Sequence, residues 1–210
     1  MSGRFNLEGF IDDLRAPTGA PGGGAAAAVS ASIGCALYQM VAGVTLSLPR
    51  FTEGRERLEE IRVAASSLCD EFGELARKDE EAYRAVERAL KMPRTTSEEK
   101  ALRRNAMQDA FKAATAAPLE IAERCVRCFE LLPDLLLFGN PNAITDVAVG
   151  SLLIDAALRG AVMNAEINLG SIKDSEFVET ARGRLAEYRQ SATSSWPALE
   201  AAAEGSGITL

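Results

Sequence analysis

The chain has 210 residues, of which 47% are hydrophobic and 25% charged, and its net charge at pH 7 is −7. This length and composition predict one globular domain, residues 1–210, with a full hydrophobic core. Because the net charge is negative and no stretch is strongly basic, nucleic acids and membranes are disfavoured as partners. There is no histidine, which excludes histidine-dependent triads, a histidine general base and the common zinc sites.

The sequence begins without the apolar region of a secretory signal, so we expect a cytoplasmic protein. Of the four cysteines, Cys125 and Cys128 form a CxxC pair. The pair lies inside the helical pattern IAERCVRCFELL and does not follow a strand. This context favours packing in a hydrophobic core over a redox or metal site, and we predict no metal site.

The first part of the sequence predicts two helices joined by a loop. Apolar residues with helical spacing predict a short amphipathic helix from Phe5 to Leu14. The next ten residues, RAPTGAPGGG, cannot continue that helix. Residues 25–48 are almost free of charge and rich in small residues, and their length permits a membrane span. Because Ser, Gln and Thr interrupt the segment, we interpret it as the central core helix of a soluble protein.

Gly22, Gly23 and Gly24 stand directly before this core helix. Free backbone N–H groups and the helix dipole point toward such a position, and glycine lets a ligand approach the backbone closely. The three glycines are therefore candidate binders of an anionic or carbonyl group. The alternative is a tight turn that needs positive φ angles, and the Lys-Ser/Thr of a Walker motif is missing.

Two long charged helices follow. Apolar spacing predicts a helix from Arg55 to Lys91, on which Asp79 either faces solvent or projects toward the core. A capping sequence with an acidic first turn predicts the next helix from about Glu98 to Leu132. Pro118 lies inside it and is expected to kink or break it, and the following loop is expected to begin at Pro133.

The segment from Gly139 to Asp174 organises the rest of the chain. Asn140 is a good N-cap for a helix predicted from Ala143 to Leu169. One polar stripe of this helix contains Asn142, Asp146, Asn164 and Asn168, and a second contains Asp155, Arg159 and Glu166. Two interpretations stay open: a structural network of caps and one buried ion pair, or a functional site.

The two ends of the first stripe are far apart. Asp146 and Asn164 are separated by about 27 Å along a helix that rises 1.5 Å per residue, so they cannot contact one small substrate within one chain. An antiparallel two-fold partner would bring the early turn of one helix near the late turn of the other. We therefore expect a homodimer with a site between the subunits.

A final helix is predicted from Asp174 to about Ala203, with residues 205–210 as a tail. No segment shows the period-two alternation that predicts strands. The predicted fold is therefore all-α: a dimeric, single-domain bundle of about six mostly long antiparallel helices, two of them nearly uncharged and buried by the others.

Four motifs resemble the cyclodeaminase/cyclohydrolase family of folate enzymes: PGGGAAAA at residues 21–28, AAPL at 116–119, GNPNAITD at 139–146 and NAEINLGSIKD at 164–174. They occur in the order of that family, and the resemblance covers residues 10–185. Members include the stand-alone methenyltetrahydrofolate cyclohydrolase and the cyclodeaminase half of formiminotransferase-cyclodeaminase. The resemblance implies an all-α homodimer with a folate site in a cleft at or near the subunit interface.

The resemblance also implies a reaction. Cyclohydrolases add water to the methenyl carbon of 5,10-methenyltetrahydrofolate and form 10-formyltetrahydrofolate, whereas cyclodeaminases close 5-formiminotetrahydrofolate to the methenyl form and release ammonia. Because the substrate amidinium is cationic and already electrophilic, neither a metal nor a cofactor beyond the tetrahydrofolate substrate is needed. Asp146 and Asp79 match family positions as the catalytic carboxylates. The implied substrate-binding residues are Gly22, Gly23, Gly24, Asn140, Asn142, Arg159, Asn164 and Asn168.

The sequence departs from the family pattern at three places. Ala20 stands where the family has threonine, residues 47–50 replace a Gly-Lys, and Gly170 replaces a second lysine. If either lysine activates water or binds a carbonyl group, the chemistry of this chain is altered. Cyclohydrolase is the first hypothesis and cyclodeaminase the alternative; a diverged member that acts on another one-carbon carrier, or binds its ligand without turnover, stays open.

Overall fold

The structure, a computed structural model, describes residues 6–209, and all regular elements in this range are helical. The elements are α1 (Leu7–Arg15), α2 (Gly23–Ser47), α3 (Arg55–Lys91), α4 (Ser97–Phe138), a 3₁₀ turn (Pro141–Ala143), α5 (Ile144–Leu169) and α6 (Ser175–Glu204). The all-α prediction with about six helices is confirmed. Phe5 and Leu210, placed by the sequence in the first helix and the tail, lie outside the described residues.

Helix α2 is the centre of the bundle and packs against both α3 and α5. Its small residues allow very close approach: a Cβ atom added at Gly34 would lie 2.7 Å from the carbonyl oxygen of Gly150 on α5. By length and composition α2 alone among the described helices could cross a membrane. The side chains of Cys35 and Tyr38 are nevertheless fully buried among those of the neighbouring helices, which is the core position that the sequence predicts.

The long helices run antiparallel to their neighbours. Between α3 and α4, for example, the ion pairs Arg57–Asp134 and Lys78–Glu120, each with a 2.6 Å N–O distance, join rising residue numbers to falling ones. One hydrophobic core runs through the described helices. Cys125 and Cys128 are buried in this core, and burial raises the pKa of the Cys125 thiol well above its usual value.

Helix α4 corrects two expectations. It begins with a capping box formed by Thr96 and Glu99 and then continues through both Pro118 and Pro133 to Phe138. Of the expected kink or break at Pro118, the break is therefore wrong, and so is the expected loop from Pro133. At Pro118 a side chain replaces the missing backbone donor: the Asn168 amide donates a 2.8 Å hydrogen bond to the carbonyl oxygen of Ala114.

The last two helices begin close to their predicted positions. The Asn140 side chain accepts a hydrogen bond from the Asn142 N–H at 3.1 Å, and it caps the 3₁₀ turn that leads into α5 rather than α5 itself. Asp174 caps α6 by accepting from the Phe177 N–H at 3.1 Å. These two caps flank α5, the helix that carries most of the candidate polar residues.

Candidate active site

A cleft of about 340 Å³ lies at the end of the bundle where α2 begins. Its walls come from the loop before α2, the first turn of α2, the last third of α3, the first half of α4 and the last turns of α5. Six of the ten candidate residues line it: Gly22, Gly23, Gly24, Asp79, Asn164 and Asn168. The antiparallel packing of α2 with α3 and α5 brings these residues together, although they are distant in the sequence.

Asp79 is half-buried in the cleft wall, beside the first turn of α2. Its carboxylate accepts a hydrogen bond from the Ala25 backbone N–H, which is one of the donors that a helix N-terminus leaves free. Burial away from water raises the pKa of Asp79, and the Ala25 hydrogen bond offsets part of that rise. Gly24 makes this approach possible, because a Cβ atom at that position would overlap the carboxylate.

The glycine run lines the cleft but differs from the tight turn that the sequence offered as the alternative. Gly23 and Gly24 form the first turn of α2 and do not precede it, and Gly22 is extended with φ −130°. The positive-φ turn is therefore wrong for these three glycines. In this loop it is Gly19 that has a positive φ, of 78°, and its missing side chain leaves room for the hydroxyl of Tyr83.

Asn164 and Asn168 form the α5 side of the cleft. The Nδ2 atom of Asn164 donates to the carbonyl oxygen of Gly160 at 2.8 Å. The Asn168 Nδ2 atom donates to Ala114 and to the carbonyl oxygen of Asn164, at 2.8 and 3.0 Å. Both amide groups therefore donate to backbone carbonyl oxygens, and both residues border the cleft.

The other four candidates lie elsewhere in the chain. Asn140, Asn142 and Asp146 surround the beginning of α5, at the opposite end of the bundle from the cleft. Asn140 has structural partners there, since its N–H donates to the Thr45 hydroxyl at 2.9 Å. A single chain therefore brings Asp146 neither to Asp79 nor to Asn164; for Asn164 this agrees with the separation calculated from the sequence.

Arg159 borders a separate depression between α5 and α6. Its guanidinium pairs with Asp155 at 2.7 Å, as the spacing predicted, but Arg159 is exposed while Asp155 is largely buried. Glu166, expected on the same stripe, pairs with Arg189 of α6 at 2.9 Å. The side chains of this stripe therefore form ion pairs within α5 and with α6, away from the cleft.

Sequence reasoning missed several cleft residues, among them Glu80, Tyr83, Phe111 and Ile167. Tyr83 could have been found, because it follows Asp79 by four residues on a helix and must share its face. Phe111 and Ile167 carry no such signal, since only the packing of α4 and α5 places them there. Together these side chains give the cleft apolar and aromatic walls around a few polar groups.

The charge of the cleft has one sign. Asp79 and Glu80 are the ionisable acids in its lining, which contains no lysine or arginine. A surface of this kind favours a cationic reacting group over an anionic one. In the part of the chain that the structure describes, no group of three cysteine or acidic side chains is placed to hold a metal ion.

Fold and cleft together define an all-α protein of the cyclodeaminase class. The crystal structure of formiminotetrahydrofolate cyclodeaminase from Thermotoga maritima matches with a TM-score of 0.86 and 27% sequence identity, over 96% of this chain and 97% of that one. The sequence model of the formiminotransferase-cyclodeaminase family matches residues 6–187. The chain belongs to this family.

Two curated relatives carry the names of the two activities in this family, cyclohydrolase and cyclodeaminase. The chain is 34% identical to methenyltetrahydrofolate cyclohydrolase of Methylorubrum extorquens, over 85% of this chain and 86% of the relative. It is 30% identical to formimidoyltransferase-cyclodeaminase of Mus musculus, over 89% of this chain but 35% of the relative. The chain thus corresponds to about a third of the mouse protein and to most of the bacterial one.

Proposed function

We propose that the chain is a folate one-carbon enzyme that hydrolyses 5,10-methenyltetrahydrofolate to 10-formyltetrahydrofolate in the cleft beside α2. The observation that carries this proposal is the half-buried Asp79 carboxylate in a cleft without basic side chains. The substrate is a cationic amidinium, in which two nitrogens share the positive charge and the carbon between them is the one that reacts. The 34% identity to a methenyltetrahydrofolate cyclohydrolase over most of both chains supports the same reaction.

Asp79 has two roles in the proposed mechanism. Its negative charge stabilises the cationic amidinium, and its free carboxylate oxygen accepts a proton from the attacking water. Water oxygen bonds to the methenyl carbon, which becomes tetrahedral and neutral. The bond from this carbon to N5 then breaks, N5 gains a proton, and the hydroxyl loses its proton as the formyl carbonyl forms. One proton is released to solvent in the complete reaction. A raised pKa makes the ionised Asp79 a stronger base for the first step.

The test is a spectrophotometric assay with purified protein and 5,10-methenyltetrahydrofolate. We expect loss of the methenyl absorbance to be clearly faster than the spontaneous rate. Such a rate would also show that the reaction proceeds without the two lysines missing near residues 47–50 and at Gly170. Folded protein that produced no acceleration would contradict cyclohydrolase activity and favour another one-carbon carrier, or binding without turnover.

Cyclodeaminase activity is the second candidate, because the matched crystal structure is that of a formiminotetrahydrofolate cyclodeaminase. Its reaction passes through the same tetrahedral carbon but expels ammonia when the ring closes. Adding 5-formiminotetrahydrofolate and following the appearance of the methenyl absorbance together with ammonia separates the two reactions. Neither proposal involves a cofactor beyond the tetrahydrofolate substrate, and both are consistent with a cytoplasmic location.

We further propose that the active form is a homodimer joined through an apolar face of α2 and α5. Exposed apolar side chains recur along one side of both helices: Ile33, Met40, Val44, Val149, Leu152, Met163 and Ile167. The two helices are antiparallel neighbours, so these side chains form one continuous surface that a second copy would cover. This face flanks the polar stripe that ends at the cleft.

Substitution of this face is expected to separate the dimer. Wild-type protein at micromolar concentration should have twice the 22.4 kDa mass of one chain in size exclusion with light scattering. Leu152→Glu introduces charge into the face and should give monomers with unchanged helical content. Val63→Glu is the matched control, because Val63 is similarly exposed but lies on α3. A monomeric wild-type protein would contradict the dimer.

A two-fold dimer would complete the site with Asp146 of the second subunit, and mixed variants test this directly. Asp79→Asn and Asp146→Asn homodimers are both expected to be inactive. Random exchange of their subunits makes about half the dimers mixed, each with one intact site out of two, so about a quarter of wild-type activity should return. No recovery, with subunit exchange confirmed by mass spectrometry, would mean that Asp79 and Asp146 do not act in one site.

A further inference from the structure

Asn168 connects α5 to α4 at the wall of the cleft. Its Nδ2 atom lies 2.8 Å from the carbonyl oxygen of Ala114. In a regular helix this oxygen accepts from the backbone N–H four residues later. That residue is Pro118, which has no N–H. The side-chain amide of Asn168 therefore supplies the donor that the helix itself lacks.

This contact fixes which end of the amide faces the cleft. The hydrogen-bond partners of the Asn168 Nδ2 are the carbonyl oxygens of Ala114 and Asn164, so the NH₂ group has to be turned toward them. Asn164 has the same arrangement, with its NH₂ group on the carbonyl of Gly160. In both side chains Oδ1 is left as the free hydrogen-bonding atom, and no side-chain or backbone donor of the described residues binds it.

We propose that the Oδ1 atoms of Asn164 and Asn168 form a pair of acceptors that binds N–H groups of the ligand, and that Pro118 is a positioning residue that holds Asn168 in this orientation. The proposal rests on the proposed function, because the pterin ring of a tetrahydrofolate carries amino and ring N–H donors along one edge. That edge would meet the α5 wall of the cleft, while Asp79 on α3 faces the one-carbon unit.

Thermal stability tests the link between Pro118 and Asn168. Asn168→Leu removes the donor of Ala114 and is expected to lower Tm by roughly 3–8 °C. Pro118→Ala restores the backbone N–H, so in that background the same Asn168→Leu change should lower Tm by less than half as much. Asn105→Leu, at an exposed position of α4, is the control. An equal loss of Tm in both backgrounds would overturn the positioning role of Pro118.

Binding of tetrahydrofolate, measured by calorimetry under nitrogen, tests the acceptor pair without turnover. The variants are compared with the wild type as parent, in which Pro118 still holds Asn168, and circular dichroism confirms that each is folded at the assay temperature. Asn168→Asp keeps an acceptor oxygen and should leave Kd within about threefold of its parent. Asn168→Leu removes the acceptor and should weaken binding about tenfold or more, which corresponds to one lost hydrogen bond.

The outcomes separate the two proposals. Equal Kd values for Asn168→Leu and its parent would overturn the acceptor pair while leaving the folate function intact. A wild-type protein that does not bind tetrahydrofolate would instead refute the proposed function, and with it the ligand part of this inference. The comparison of Tm values in the two backgrounds decides the role of Pro118 in either case.

Discussion

Replacement of Asp79 by asparagine is expected to lower kcat/KM for 5,10-methenyltetrahydrofolate by roughly 10²–10⁴-fold, the usual contribution of a general base. Asparagine has almost the same shape and can still accept from the Ala25 N–H. It can neither take a proton from water nor offset the substrate charge. Initial rates with purified variants measure this loss. Asp70 is an exposed acid on the same helix, so Asp70→Asn is the control and should retain wild-type rates. If Asp79→Asn turned over substrate at a rate close to that of the wild type, Asp79 would be excluded as the base.

The pKa of Asp79 gives this prediction two further signatures. Because burial raises that pKa, the acidic limb of the wild-type kcat/KM profile should lie at higher pH than for a solvent-exposed aspartate. A raised pKa also means that the folded protein binds the proton more tightly than the unfolded chain, so the ionised carboxylate costs stability at neutral pH and this cost falls as the pH decreases. Asp79→Asn should therefore have a Tm at pH 7 equal to or above that of the wild type.

Gly34→Ala is expected to lower Tm by about 2–8 °C. The added methyl group would lie 2.7 Å from the Gly150 carbonyl oxygen and 2.7 Å from Cγ1 of Ile154, so the backbones of α2 and α5 would have to separate. Alanine favours a helix over glycine by about 1 kcal/mol, but overpacking at a backbone contact costs more. Differential scanning calorimetry at one protein concentration measures the change.

Gly73→Ala is the matched control for this substitution. Gly73 lies inside α3, and a Cβ atom there would meet no other atom within 4 Å. The same chemical change should raise Tm slightly, because it removes conformational freedom from the unfolded chain. Opposite signs at the two glycines would show that the close contact between α2 and α5 limits stability. A rise at Gly34 as well would mean that this contact opens at little cost.

The extent of most helices could be predicted from the sequence because amphipathic periodicity is a local property. The prediction for α3, Arg55–Lys91, is confirmed to the residue, and those for α5 and α6 to within one residue at each end. Helix α4 was predicted to Leu132, but its unbroken course through Pro118 could not be predicted, because it depends on a donor from Asn168, 50 residues further along the chain. A hydrogen bond from a residue so distant in the sequence depends on tertiary packing, so it leaves no local sequence pattern.

The candidate site was predictable only in part, for a related reason. Motif positions identified Asp79, Asn164 and the glycine run, and the structure brings them to one cleft. Nothing in the sequence showed that Gly24 makes room for the Asp79 carboxylate, or that Phe111 faces the same space. The distance from Asp146 to Asn164 was predictable because the rise of a helix is constant. Whether a second subunit spans that distance stays a prediction.

Helix α5 combines several surfaces at different angles around one axis. Its buried side, which includes Ile154 and Ala161, packs in the core, and the opposite side carries the exposed Val149 and Leu152. Asn164 and Asn168 lie between these two sides. A saturation scan of α5 should therefore yield three periodic profiles, for melting temperature, self-association and turnover. Each would repeat about every 3.6 positions, and the three would differ only in phase. The defect caused by a substitution would follow from its angular position on this helix more than from its distance along the chain.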